Sequence, residues 1–325
     1  MTQTGDREIV VKDVHKYFGQ KHVLKGVDFH LPDEENLAII GPNGSGKTTL
    51  LKTLASVYLP DKGSIRIGPY DLMKQTKQAR KLLSYVSPGL SFHKKLTLKE
   101  TLEYFADLQD ASWKGQQELM DSVDLTKMLD VPIEGFSEGQ KAMTRLVIAL
   151  LKNPKILVLD EITATLDVKK KESVINYIYK LDKERELTIL LIDHNPTVVD
   201  RLCDKLLLLT RDGKVMKFGN TSEIIKQIPY SFDVKVVPHP SIDVIPFVRE
   251  LGFPYRRMGQ LVQFYAETKK EVDDITNELL DRQEQLLEFN VSGLSMEDVY
   301  WHWLLLQGVE IEDGTKYAFT PESIE

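Results

Sequence analysis

The sequence predicts an α/β protein with a mostly parallel core sheet over residues 1–227, then a small α+β domain over 228–308 and an acidic tail over 309–325. Three observations carry this expectation. First, Gly41-Pro42-Asn43-Gly44-Ser45-Gly46-Lys47-Thr48-Thr49 fits the phosphate-cradling pattern G-x-x-x-x-G-K-S/T. It lies between a strand-like run, Leu37–Ile40, and a helix-like run, Leu50–Ala55. Second, Ile156–Leu159 and Thr188–Ile192 are near-continuous apolar runs, as central parallel strands are when both faces are covered. Third, 325 residues at 42% apolar and 28% charged content suffice for two domains and a sizeable core.

Along the first domain, Ile9-Val10-Val11 opens a strand, and Ser64–Ile67 forms another after the turn Pro60-Asp61-Lys62-Gly63. Leu98, Leu102, Phe105 and Leu108 have the spacing of one helix face. Ala142–Leu151 is a helix closed by Lys152-Asn153-Pro154. Lys205–Thr210 and Lys214–Phe218 flank Arg211-Asp212-Gly213 as a hairpin. The pattern changes at Gln227-Ile228-Pro229-Tyr230. Phe232, Val234 and Val236 alternate as a strand, and residues 243–251 read as a short helix. Two strands follow, 253–257 and 260–267. The capping box Thr268-Lys269-Lys270-Glu271 opens a helix with Val272, Ile275, Leu279 and Leu286 on one face. Leu287–Val291 completes a βαββαβ, ferredoxin-like order. Ser295 caps a last helix, 296–306, whose Tyr300, Trp301 and Trp303 read as core or subunit interface. No internal repeat is visible.

The net charge of −7, from 42 basic and 49 acidic residues, argues against non-specific nucleic-acid binding. No apolar run approaches the roughly eighteen residues needed to span a bilayer. The polar stretch Met1–Glu8 is not that of a signal peptide. A single cysteine, Cys203, excludes an intramolecular disulfide and fits a reducing compartment.

The phosphate loop carries specific chemistry. Glycines let successive backbone N–H groups turn toward phosphate oxygens, and the following helix adds its positive end. Lys47 reaches the β- and γ-phosphates, and Thr48 offers a hydroxyl to Mg2+.

Four further segments narrow the reading. Phe136-Ser137-Glu138-Gly139-Gln140 begins a helix; Asp160-Glu161 ends the strand Ile156–Leu159; Ala164–Asp167 follows; and Leu191-Ile192-Asp193-His194 ends the next strand. In this order and spacing the chain resembles the nucleotide-binding domain of ATP-binding-cassette (ABC) ATPases over roughly residues 7 to 222. That resemblance implies a P-loop NTPase cassette with an antiparallel β part and a helical subdomain. It implies ATP and Mg2+ as ligands. Gly41, Asn43, Gly44, Ser45, Gly46, Lys47, Thr48 and Thr49 would hold the phosphates, with Thr48 and Asp160 on the metal. Glu161 is the implied general base and His194 the implied γ-phosphate switch, with Lys47 assisting catalysis. Ser137, Gly139, Gln140 and Asp167 would close over the nucleotide of a partner cassette, so one cassette per chain implies a dimer, homo- or heteromeric. The adenine-stacking aromatic falls in Val14–Gly19, where the glycine spacing favours Phe18 over Tyr17.

Two departures stand out. Glu138 replaces a glycine at a tolerant position, and Pro88 stands where the family carries a glutamine that touches Mg2+ and the lytic water. The resemblance implies an ATP-hydrolysing subunit peripheral to the cytoplasmic face of a membrane. It would power an integral membrane permease subunit that docks near residues 88–110, with the C-terminal domain regulatory or dimer-stabilising. The competing class, a soluble ABC ATPase acting on ribosomes or DNA, typically has two cassettes in one chain or a long coiled-coil insertion. Neither is visible here.

Overall fold

β-branched and aromatic residues open the chain as two long paired strands, β1 (Ile9–Phe18) and β2 (Lys21–Leu31). The computed structural model describes residues 5–185, 187–228, 230–242, 253, 255–258 and 260–306. The chain divides into two units, Met1–Ser222 and Glu223–Glu325.

In the first unit, β3 (Leu37–Ile40) runs into α1 (Lys47–Leu54), followed by β4 (Lys62–Ile67), β5 (Tyr70–Asp71), α2 (Thr76–Leu82) and β6 (Leu83–Val86). α3 (Leu98–Leu108), α4 (Gln117–Ser122) and α5 (Glu138–Leu150) come next. The chain then alternates through β7 (Ile156–Asp160), α6 (Val168–Arg185), β8 (Thr188–Ile192) and α7 (Pro196–Leu202), and closes with the hairpin β9 (Lys205–Leu209) and β10 (Val215–Asn220). α8 (Thr221–Lys226) straddles the division between the units, which falls at Ser222 rather than after Gln227.

Two sheets result. The six-stranded sheet runs β10-β9-β3-β8-β7-β6; its strands are parallel except the antiparallel edge β10. Every residue of β3, β7 and β8 is buried, which accounts for their unbroken apolar runs. The four-stranded antiparallel sheet runs β2-β1-β4-β5. The two sheets share one core cluster, in which Ile9, Leu24 and Ile65 join Leu37, Leu50, Ile156 and Leu190.

β1 is longer than the opening triplet suggests. It continues past Val11 through register shifts, with Asp13 at φ 46°, so Val14–Phe18 belong to β1 and do not merely precede β2. α5 starts four residues before Ala142, because Ser137 and Gln140 form a capping box that nucleates the turn. α3 has the expected bounds and a Thr97–Glu100 capping box. Its apolar stripe is only partly used: Leu98 and Leu102 are buried, while Leu108 is 64% exposed.

In the second unit, β11 (Phe232–Pro238), β12 (Tyr255–Met258), β13 (Leu261–Ala266) and β14 (Leu286–Gly293) form an antiparallel sheet in the order β12-β13-β11-β14. α9 (Lys269–Leu280) packs Ile275 and Leu279 against Val234, Val236 and Phe264. α10 (Met296–Leu306) starts at its Ser295 cap, whose hydroxyl accepts from Asp298 N–H at 3.2 Å. The helix assigned to 243–251 and the acidic tail lie outside the described residues. Leu286 is a correction. α9 ends at Leu280, a 3-10 turn follows over Gln283–Gln285, and Leu286 opens β14 while still packing on the same core. Tyr300 and Trp303 are buried, and Trp303 Nε1 donates to Ile224 O at 3.2 Å.

Candidate nucleotide-binding and hydrolysis site

β3 ends in the middle of the parallel sheet, and the chain curls from Gly41 into α1. Gly46, just before α1, has φ 95°. The backbone angle favours glycine, and the space is tight, since a Cβ there would lie 3.0 Å from Leu24 Cδ2 and 3.2 Å from Val23 Cγ1. Lys47 is the first helical residue and is buried, its Nζ donating to Gly41 O at 2.7 Å and Pro42 O at 3.1 Å. The ammonium thus holds the loop closed on itself and sits where phosphate oxygens can replace the carbonyls. Ser45 Oγ is buried without a hydrogen-bond partner. Such a group carries a desolvation cost that a phosphate oxygen would relieve.

A cavity of about 440 Å³ opens over this loop, lined by Asn43, Gly44, Gly46, Lys47, Thr48 and Thr49 on one side and by Phe18, Lys21, Val23 and Glu161 around them. Phe18 is 43% exposed and meets Tyr58 edge-on at 5.2 Å, with Lys16 Nζ 5.6 Å from its ring. Tyr17 instead stacks on His22 at 4.0 Å and does not line the cavity. Of the two aromatics, Phe18 is the one that lines the cavity.

The carboxylates sit where β7 ends. Asp160, the last residue of β7, is 3% exposed. Its Oδ1 accepts from Thr48 Oγ1 at 3.2 Å and its Oδ2 from Tyr85 OH at 2.8 Å. Burial pushes the Asp160 carboxyl up, and the hydrogen bonds from Tyr85 and Thr48 pull it back. Burial and the neighbouring Asp160 charge likewise push the Tyr85 phenol well above its ordinary range, so it acts as a donor. A hydroxyl and a carboxylate oxygen at this spacing match the hard-oxygen donors and roughly 3 Å ligand separation of octahedral Mg2+. Thr48 and Asp160 could therefore hold the ion, which would neutralise charge on the phosphate oxygens.

Glu161 follows with φ 52°, a left-handed conformation uncommon outside glycine, while its N–H donates to Ile192 O at 3.0 Å. This turn takes its side chain away from that of Asp160 and into the cavity lining. Its Oε1 lies 3.4 Å from His194 Nε2. The neighbouring Asp193 is buried and tied by its carboxylate to the Thr163 hydroxyl, which fixes the strand end that presents His194.

Ser137, Gly139, Gln140 and Asp167 form none of this cavity's lining. Ser137 Oγ accepts from Gln140 N–H at 3.2 Å, and Gln140 Oε1 accepts from Ser137 N–H at 2.8 Å. A Cβ on Gly139 would meet Thr165 O at 2.9 Å, so this helix start approaches the Ala164–Asp167 turn closely. Asp167 accepts from Lys170 N–H at 3.0 Å, which with the Lys170 charge holds its carboxyl below the usual range. Glu138 pairs with Lys141 at 2.9 Å. Of the four, Ser137 and Asp167 are exposed, and Gly139 and Gln140 are half-buried. Lys21, Val23 and Tyr85 were not foreseen: two lie on a strand with no motif, and Tyr85 meets a carboxylate 75 positions away.

A sequence model of the ABC transporter family matches residues 24–164. The chain carries an ABC-type ATP-binding cassette. The linearmycin resistance ATP-binding protein LnrL of Bacillus subtilis (strain 168) is 26% identical over 221 residues, 67% of this chain and 70% of LnrL. The methionine import ATP-binding protein MetN of Clostridioides difficile (strain 630) is 28% identical over 224 residues, 66% of this chain and 70% of that protein. A solved ATP-binding subunit of an ABC transporter superposes with a TM-score of 0.61 at 27% identity, covering 67% of this chain and 92% of that one. The cassette is an ATPase of this type, hydrolysing ATP to ADP and phosphate.

Proposed function

We propose that this chain is the ATP-hydrolysing subunit of an ABC membrane transporter, driving a separate integral membrane permease by ATP-dependent closure of two cassettes. The observation that carries the reading is the division of the cassette's polar residues into two groups. The phosphate loop, Thr48 and Glu161 line one cavity, with Asp160 bonded to Thr48 and His194 beside Glu161, whereas Ser137, Gly139, Gln140 and Asp167 lie outside its lining. A second cassette brought head to tail would supply the missing half. Glu161 would then accept a proton from the attacking water, His194 would report the γ-phosphate, and Phe18 would stack on adenine. Release of phosphate removes the contacts that bridge the halves, which makes the dimer a two-state switch.

Docking to a permease is supported by an exposed aromatic surface around the helical part of the cassette. Phe92, Tyr104 and Phe105 form an edge-on cluster, Tyr104 is 56% exposed, and Leu108 continues the patch. The Arg145 guanidinium lies 5.8 Å from the Phe92 ring and donates to Leu90 O at 3.0 Å, fixing the loop after β6 beside it. Among the described residues no helix is long and apolar enough to cross a membrane, so the spanning helices would belong to that partner and this chain to its cytoplasmic face. Affinity purification of the chain from detergent-solubilised membranes should bring down a multi-span protein. Recovery of the chain with ribosomes instead would overturn the transport reading.

Pro88 and Gly89 occupy the centre of a turn closed by Leu90 N–H on Ser87 O at 3.2 Å. Proline fixes the φ that this turn position needs. Pro88→Gln is therefore expected to give no gain in basal ATPase activity; a several-fold rise would mean that the turn tolerates the family's residue and that only its contact is lacking.

The C-terminal unit would serve as a regulatory or dimer-stabilising domain. The fragment 1–227 retains every nucleotide-contacting residue and should bind ATP as the full chain does. Sedimentation should find the full chain dimeric without nucleotide and the fragment dimeric only with ATP. A monomeric full chain would remove the dimer-stabilising role.

A further inference from the structure

Two hydroxyls from different elements converge on the carboxylate at the end of β7. Tyr85 OH donates to Asp160 Oδ2 at 2.8 Å, and the other oxygen, Oδ1, takes the Thr48 hydroxyl at 3.2 Å. Tyr85 lies on β6, paired in parallel register with Val158 of β7, which holds its ring beside the strand that delivers Asp160.

We propose that Tyr85 is a positioning residue for the metal-binding carboxylate. The inference rests on the reading of Asp160 as a metal ligand. Its physical basis is the burial of that side chain. A carboxylate removed from water needs partners on both oxygens, and with Oδ2 held by a neutral donor, Oδ1 stays presented beside Thr48 Oγ1. Outer-shell donors of this kind fix ligand orientation.

The test uses the full chain with ADP and Mn2+ as the probe ion, bound Mn2+ being measured by electron paramagnetic resonance. Asp160→Asn should abolish the protein-dependent part of Mn2+ binding; if it does not, Asp160 is no ligand and the site reading itself falls. With that control in place, Tyr85→Phe should weaken Mn2+ binding by about tenfold or more. ADP affinity in EDTA should stay unchanged, which a general loss of the fold would not allow, while the melting temperature without nucleotide falls as the buried Asp160 Oδ2 loses its donor. Equal Mn2+ affinity in Tyr85→Phe and the parent chain overturns the positioning role.

Discussion

Glu161→Gln should lower the ATP turnover rate by about 10²–10⁴-fold, a barrier increase of about 3–5 kcal/mol, while ATP and Mg2+ still bind. The amide has the shape of the carboxylate and leaves the φ 52° turn and the Glu161 N–H bond to Ile192 O in place. What is lost is the acceptor for the proton of the attacking water. His194, whose Nε2 lies 3.4 Å away, follows the end of β8 and is proposed to contact the γ-phosphate instead of this proton. Steady-state phosphate release, measured beside equilibrium ATP binding, separates the two effects. Turnover at the parent rate would remove Glu161 from the chemistry.

Lys47→Ala should act earlier, on binding. The ammonium is buried at the start of α1 and aimed at the loop carbonyls of Gly41 and Pro42. Exchanging those carbonyls for phosphate oxygens converts two neutral acceptors into charged ones, and charge-assisted bonds are roughly twice as strong. Removing the group should weaken ATP binding by about 10–100-fold, corresponding to roughly 1.5–3 kcal/mol. Fluorescent-nucleotide titration at fixed Mg2+ checks this. Because the loop also loses its internal tether, the melting temperature without nucleotide should be followed in parallel; an unchanged affinity would contradict the placement of the phosphates over the loop.

Local signals carried most of this structure. The bounds of α3 and α10 follow from caps and apolar spacing that lie within a dozen residues, as does the phosphate loop between β3 and α1. What sequence could not show is mostly non-local. The spatial order of the six-stranded sheet depends on crossovers, not on any strand's own composition. β1 was cut short because bulges at Asp13 and beyond break the period-two alternation that marks a strand. Leu286 kept a helical spacing from Leu279, yet α9 had already ended at Leu280 without a glycine or proline to announce it. The start of α5 is legible in Ser137-x-x-Gln140, inside the segment expected to begin that helix. Within the site, the motif residues could be named in advance because each lies at a strand end or helix start. The Tyr85–Asp160 bond could not, since only the parallel pairing of β6 with β7 brings those side chains together.

The central claim is that ATP is buried between two cassettes, each offering its Ser137–Gln140 segment to the other's phosphate loop. Sedimentation velocity of the fragment 1–227 carrying Glu161→Gln tests it most directly, since hydrolysis can no longer separate the halves. The account predicts a monomer without nucleotide and a dimer with ATP and Mg2+. A fragment that binds ATP and stays monomeric would contradict it.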